Sequence, residues 1–127
     1  MTPDEQRAVM TDVLDQWKSA IDERDPQRVA ALFTDDAIFQ GLRPYGVGRT
    51  AVADYYAAQP RGLRPTYRIL ETREPAPGVI LGYLGVDFAF TDRPTIAVHL
   101  SVLLTRVGNG WAIGHYQVSP TPQSPPG

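Results

Sequence analysis

The sequence predicts an α+β fold, three N-terminal helices packed on the concave face of a curved, mainly antiparallel sheet. Three observations carry that expectation. Up to Pro60 the apolar residues recur at three- and four-residue spacing, the period of a helix. From residue 65 onward the period becomes strand-like, in four segments rich in β-branched and aromatic side chains. The breaks between those segments are turn sequences: Pro75-Ala76-Pro77-Gly78, Thr91-Asp92-Arg93-Pro94 and Gly108-Asn109-Gly110.

The first helix is expected over Asp4–Glu23, with Met10, Val13, Leu14, Trp17, Ala20 and Ile21 on one face. Asp25-Pro26 then breaks the chain and restarts it. Asp25 suits an N-cap, and Pro26 suits the first helical position. The second helix, Pro26–Phe33, turns Val29, Leu32 and Phe33 inward. Thr34-Asp35-Asp36 reads as a turn, Ala37–Phe39 as a short strand and residues 41–49 as a Gly- and Pro-rich loop. Thr50 is placed to cap a third helix that runs to Ala58 and ends at Gln59-Pro60-Arg61-Gly62. Strands are expected over 65–74, 78–90, 95–107 and 110–119, the last two joined by a hairpin at Gly108-Asn109-Gly110. This makes one domain, residues 1–119, followed by a flexible Pro-rich tail over 120–127.

Composition narrows the function classes. The chain has 127 residues, 43% apolar and 20% charged, enough for one core with a modest cavity. The net charge is −2 and no basic block or basic helix face occurs, which argues against nucleic acid and anionic membranes as partners. The polar, acidic start, Met1-Thr2-Pro3-Asp4-Glu5-Gln6, is unlike a signal peptide, and no apolar run reaches the roughly 20 residues of a membrane span. The expected location is the cytoplasm. With no cysteine, disulfides, thiol catalysis and thiolate metal sites are excluded. Gly46-Val47-Gly48-Arg49 lacks the lysine and the strand–glycine–helix context of a phosphate loop. There is no Gly-x-Ser-x-Gly elbow and no nicotinamide or flavin fingerprint, so any reaction is expected to be cofactor-free.

Several stretches, taken in order, resemble a known superfamily. They are Trp17, the Asp25 turn, Leu32-Phe33-Thr34-Asp35-Asp36-Ala37-Ile38-Phe39, Gly48-Arg49-Thr50-Ala51-Val52, and Asn109-Gly110-Trp111-Ala112-Ile113-Gly114-His115-Tyr116-Gln117-Val118-Ser119. Together, from about residue 5 to residue 119, they resemble the SnoaL-like part of the nuclear transport factor 2-like superfamily. The likeness is greatest to the SgcJ/EcaC group and the association domain of calcium/calmodulin-dependent kinase. The resemblance implies a cone-shaped, cystatin-like α+β barrel, a pocket between helices and sheet for a small apolar molecule, and a homodimer formed through the sheet. It leaves activity open, because relatives include isomerases, dehydratases, polyketide cyclases, oligomerisation modules and transport factors. Many relatives carry a histidine where this chain has Gln117, so no mechanism that needs a histidine there is implied.

Strand parity sorts the polar residues. Val98, Leu100, Val102 and Leu104 share one face, and His99, Ser101, Leu103 and Thr105 the other. Tyr83 and Asp87 oppose Leu84, Val86 and Phe88, while His115 and Gln117 are expected to lie with Trp111 and Ile113. If the polar sets align, Asp87, His99 and His115 form an acid–base group, with Tyr56, Tyr83, Ser101 and Gln117 available to position substrate. Such a group would suit isomerisation, cyclisation or dehydration of a polyketide-type intermediate. Trp17 and Tyr56 are the core aromatics expected to face a cavity. No compact ligand spacing among the two histidines and Asp87 supports a metal site. Alternatively the polar face is the outer or dimer-forming face, and Leu100, Val102, Leu104, Tyr116 and Val118 line the pocket. The protein is then a ligand-binding or assembly module without turnover.

Overall fold

The structure is a computed structural model that describes residues 1–121. Three helices, α1 (Pro3–Asp22), α2 (Pro26–Ala30) and α3 (Arg49–Ala57), cover one face of a six-stranded sheet. The strands are β1 (Phe33–Gln40), β2 (Gly46–Val47), β3 (Arg64–Ala76), β4 (Val79–Ala89), β5 (Ile96–Val107) and β6 (Gly110–Pro120), in spatial order β2-β1-β6-β5-β4-β3. All pairings are antiparallel except β1 with β6, which is parallel. The α+β class read from the periodicity is the observed one. No helix among the described residues is long and apolar enough to cross a membrane.

Local signals set the helix ends. Thr2 and Glu5 form a reciprocal capping box at the start of α1. The helix stops where Arg24 takes φ 54°, with the Asp25 and Arg24 amides donating back to the carbonyls of Ala20 and Ile21. Asp25 caps α2 as expected, its Oδ1 accepting from the Arg28 amide at 3.1 Å. The cap of α3 differs from expectation: Gly48 stands at that position, without a side-chain bond, and Thr50 is already helical.

The stretch from Ala31 to Gln40 also departs from the sequence reading. Helix α2 ends at Ala30, and Phe33 opens a strand. The cause is β6, whose Ile113 amide donates to the Leu32 carbonyl at 2.8 Å and whose backbone pairs with Phe33. Residues 34–36, expected as a turn, lie within β1, where the pairing slips between Phe33 and Ile38. The two-residue β2 is too short to carry any periodicity; it forms because Val47 and Gly46 pair with Ile38 and Phe39. The tail expected from residue 120 begins inside β6, and residues 122–127 lie outside the described residues.

The core fills the space between helices and sheet. Met10, Leu14 and Trp17 from α1 meet Ile80, Leu84, Leu100 and Leu104 from the inner face of the sheet, all essentially without solvent contact. Thr72 on β3 donates to Gln6 Oε1 at 3.1 Å, so the first turns of α1 bring no unsatisfied polar group inward there.

Tight turns join the sheet to the helical layer. Gly62 has φ 75°, and its backbone lies against Thr91, whose amide donates to the Arg61 carbonyl. A Cβ at residue 62 would stand 1.8 Å from Thr91 Oγ1. Gly62→Ala therefore combines left-handed strain with a clash and should destabilise by at least about 2 kcal/mol. Adding Thr91→Gly should recover the clash share and leave the strain. Denaturant unfolding of the single and double variants checks this. Equal stability of Gly62→Ala and the parent would refute the tight packing.

Candidate functional site

The two faces of the sheet have different chemistry, and the register identifies them. Val98, Leu100, Val102 and Leu104 point at the helices and are buried. On the outer face the cross-strand rows read Tyr83–Ser101–Gln117, Gly85–His99–Ser119 and Leu81–Leu103–His115. One parity expectation fails. Ile113 is fully buried on the inner face, whereas His115 and Gln117 lie outside. A bulge at Gly114 separates them: Ile113 pairs with Leu104 but His115 with Leu103.

The outer face thus collects Tyr83, Asp87, His99, Ser101, His115 and Gln117. Tyr83 and His99 stack at 5.2 Å with their planes 15° apart. Spacing along β5 keeps the two histidines apart. His99 and the partner of His115, Leu103, are four residues distant on one strand, roughly 13 Å. The basic group facing Asp87 is the Arg68 guanidinium, at 3.9 Å. No hydrogen bond among the described residues joins Asp87 to an imidazole.

Behind the inner face lies a cavity of about 160 Å³ between α3, the loop after β1, the β4–β5 loop and strands β4–β6. Phe88, Phe90, Tyr116 and Val118 form its sheet side, and Tyr55, Tyr56 and Gln59 its helix side. Arg43 and Arg93 contribute from the two loops. Of the residues read from sequence as pocket-facing, Tyr56 lines this aromatic cavity directly and Trp17 stands behind it. Of the alternative lining set, Tyr116 and Val118 line it, while Leu100, Val102 and Leu104 are core. A second cavity of about 220 Å³ lies among α1, α2 and α3, beside the Arg24-Asp25 turn. Tyr56, Gln59, Pro60 and Leu63 line both and form the wall between them.

The floor of the aromatic cavity holds a short chain of polar groups in an apolar setting. Trp17 Nε1 donates to Tyr56 Oη at 3.1 Å, and Tyr56 Oη donates to Tyr116 Oη at 3.3 Å. Three donor protons share two hydrogen bonds, and an indole can only donate. One phenolic proton is therefore left without an acceptor among the described residues, whichever tyrosine donates across the 3.3 Å contact. Phe39 stacks on the Tyr116 ring at 4.5 Å, and Trp17 and Phe33 pack near 6 Å from it, so this donor is held in place. Tyr55 packs edge-on against Phe39 at 4.8 Å and Tyr56 at 5.2 Å, and Gly41 leaves room for its hydroxyl: a Cβ there would stand 2.4 Å from it.

Burial raises the pKa of Tyr56 and Tyr116 above the ordinary phenol value, and burial is the largest cause for Tyr55 as well. Tyr67, bonded to Asp15 on α1, is raised by desolvation and then by that carboxylate. The Tyr56 and Tyr116 phenols are thus neutral donors. In the unfolded chain these groups ionise near pH 10, while the folded chain keeps their protons. Above that pH the unfolded state binds fewer protons, so stability must fall as pH rises. The contribution of these tyrosines to the free energy of unfolding should be flat below about pH 9 and decline beyond about pH 10. Tyr56→Phe and Tyr116→Phe should each make the decline shallower, as read from denaturant midpoints across that range. Unchanged slopes in both variants would contradict the burial of these hydroxyls.

Sequence reasoning did not single out Arg43, Arg93, Phe88 or Phe90 as site residues. The parity of Phe88 with Leu84 and Val86 was the available signal for an inner position. The two arginines carry none, since their place depends on loops meeting across the fold.

The fold has many solved counterparts. A domain with a cystatin-like fold from Nostoc punctiforme superposes with a TM-score of 0.81 at 15% identity, covering 96% of this chain and 81% of that one. A ketosteroid isomerase-like protein from Erwinia carotovora gives 0.76 at 22% identity, covering 87% and 92%. Aln2 from a Streptomyces species gives 0.74 at 17% identity, covering 94% and 93%. At these identities the likeness is one of fold. No curated protein matches the chain in sequence. The sequence pattern of the SnoaL-like domain matches residues 10–123, and the chain belongs to that family.

Proposed function

We propose that this protein binds a small, largely apolar molecule in the aromatic cavity, anchored through one oxygen that accepts the spare phenolic proton of the Tyr56–Tyr116 pair. That spare proton is the observation that carries the reading. A buried donor without an acceptor is costly, and a ligand oxygen placed there relieves the cost. Aromatic walls supply the remaining contact. A carbonyl-bearing metabolite of the polyketide type has this chemistry, and an accessory role in such a pathway fits it.

Binding without turnover is favoured over proton transfer. The residues lining the aromatic cavity offer phenols, an amide and guanidinium groups, and none of them is a carboxylate or an imidazole able to take a proton from a ligand. The acid–base candidates Asp87, His99 and His115 stand on the opposite face of the sheet. Their surroundings suit another role. Leu81, Leu103 and Ile38 flank His115 in one cross-strand row that continues to Val47 and is largely exposed in the single chain. We infer that this face meets a second copy in a homodimer, with Tyr83, Ser101 and Gln117 in the contact.

Two measurements test these proposals. Acetophenone should bind about tenfold more tightly than ethylbenzene, the ratio a neutral buried hydrogen bond gives. The Tyr56→Phe/Tyr116→Phe double variant should lose most of that preference, followed by tryptophan fluorescence in a Trp111→Phe background. A preference that survives loss of both phenols sinks the anchoring role. Light scattering should return about twice the 14.0 kDa of one chain, and Leu81→Arg should return one chain's mass. A parent protein that is already monomeric would rule out the dimer.

A further inference from the structure

Two features of the aromatic cavity are not explained by an apolar ligand with a single oxygen. The first is its mouth. Arg43 and Arg93 are its exposed lining cations, one from each loop, while Tyr56 and Tyr116 are its buried floor. Neither arginine is placed at random. Gln40 Nε2 donates to the Arg43 carbonyl at 2.6 Å and to the Gly41 carbonyl at 3.3 Å, which fixes the loop that carries Arg43. The Arg93 guanidinium sits 5.8 Å from the centre of the Phe90 ring, itself a lining residue. Around these cations, Asp92 is 3.4 Å from Arg93 and is well exposed. Asp54 shares a surface groove with Arg43 and makes no ion pair with it within 4 Å. The mouth therefore presents two guanidinium groups against one close carboxylate.

The second feature is size. A cavity of about 150 Å³ with apolar walls accommodates one benzene ring. The aromatic cavity, at about 160 Å³, is on that scale. A fused two-ring body exceeds that volume, so its second ring would have to project through the mouth past Arg43 and Arg93 or displace the Tyr56–Gln59–Pro60–Leu63 wall.

We propose that the ligand is a single-ring carboxylate with its ring against Phe88 and Tyr116, the oxygen that meets the spare phenolic proton at its inner end and its anionic group at the mouth between Arg43 and Arg93. Benzoate and its ester share the ring and isolate the charge at the mouth. This rests on the reading of the aromatic cavity as the ligand site and adds the charge and size of what enters it. An arginine fork suits a carboxylate because two parallel N–H groups meet two oxygens. The exposed mouth screens the charge, so the preference should be moderate and should weaken with salt.

The test uses benzoate, methyl benzoate and 2-naphthoate with the intact protein, read by calorimetry. Benzoate should bind about tenfold more tightly than its methyl ester at low salt, as a charge-assisted pair at a solvent-exposed mouth allows. The ratio should shrink toward one at high salt and in Arg43→Gln/Arg93→Gln, a variant whose thermal melt should match the parent. 2-Naphthoate should bind at least about tenfold more weakly than benzoate, because a second ring has no room. Equal affinity for acid and ester in the parent protein overturns the anionic assignment and leaves the apolar cavity standing. Equal affinity for naphthoate overturns the size assignment. If neither acid nor ester binds, and acetophenone does not bind either, the cavity reading falls together with this one.

Discussion

Three buried polar groups, Trp17, Tyr56 and Tyr116, have to satisfy one another where α1 and α3 meet the sheet, among side chains that are otherwise apolar or aromatic. Each comes from a different element: α1, α3 and β6. The indole N–H fixes the Tyr56 hydroxyl, and the Tyr56 hydroxyl meets that of Tyr116. That constraint sets how deeply α3 sits over the sheet, and it ties the two layers at one point by direction as well as by contact. Phe33 and Phe39 then close around the Tyr116 ring from β1. The cavity is the space left above this cluster, where α3 and the sheet diverge. Its floor is polar because the cluster has one more proton than it has acceptors.

Most of the fold is legible in the sequence because the two periods are clean. Met10 to Ile21 keeps a helical stripe, and Val98 to Leu104 alternates without interruption. Both segments behave as their spacing says. The failures occur where tertiary pairing overrides local chemistry. Thr34-Asp35-Asp36 has turn composition, yet β6 draws the flanking backbone into the sheet and leaves these residues in a pairing slip. Gly114 is a single unpaired residue, and no alternation of side chains signals it. It nevertheless puts Ile113 and His115 on opposite faces.

The site was less legible than the fold, for a related reason. Parity shows that His99, Ser101, Tyr83 and Asp87 share faces within their strands, and the register bears out their alignment as a polar sheet surface. Parity alone does not show which surface the helices cover. That depends on the apolar faces of α1 and α3 matching Leu84, Leu100 and Leu104, a choice made by burial across elements. The charged groups at the cavity mouth are further from reach. Arg43 and Arg93 are separated in sequence by three of the six strands and line the same cavity only because two loops border the same opening.

The parallel pairing of β1 with β6 has a consequence for how the chain is made. β1 is synthesised early, and its partner β6 follows only after β2 to β5 have been made. Until residues 113–118 emerge, Phe33, Phe39 and Trp17 lack the Tyr116 ring on which they pack. The edge of β1 stays open over the same interval, and open strand edges invite pairing with other chains. The helices can form as they appear, but the sheet cannot close around them until β6 has been made. Folding of this domain is therefore gated by its C-terminal strand, and a nascent chain stalled before Tyr116 presents its largest aromatic side chains to whatever chaperone or neighbour it meets first.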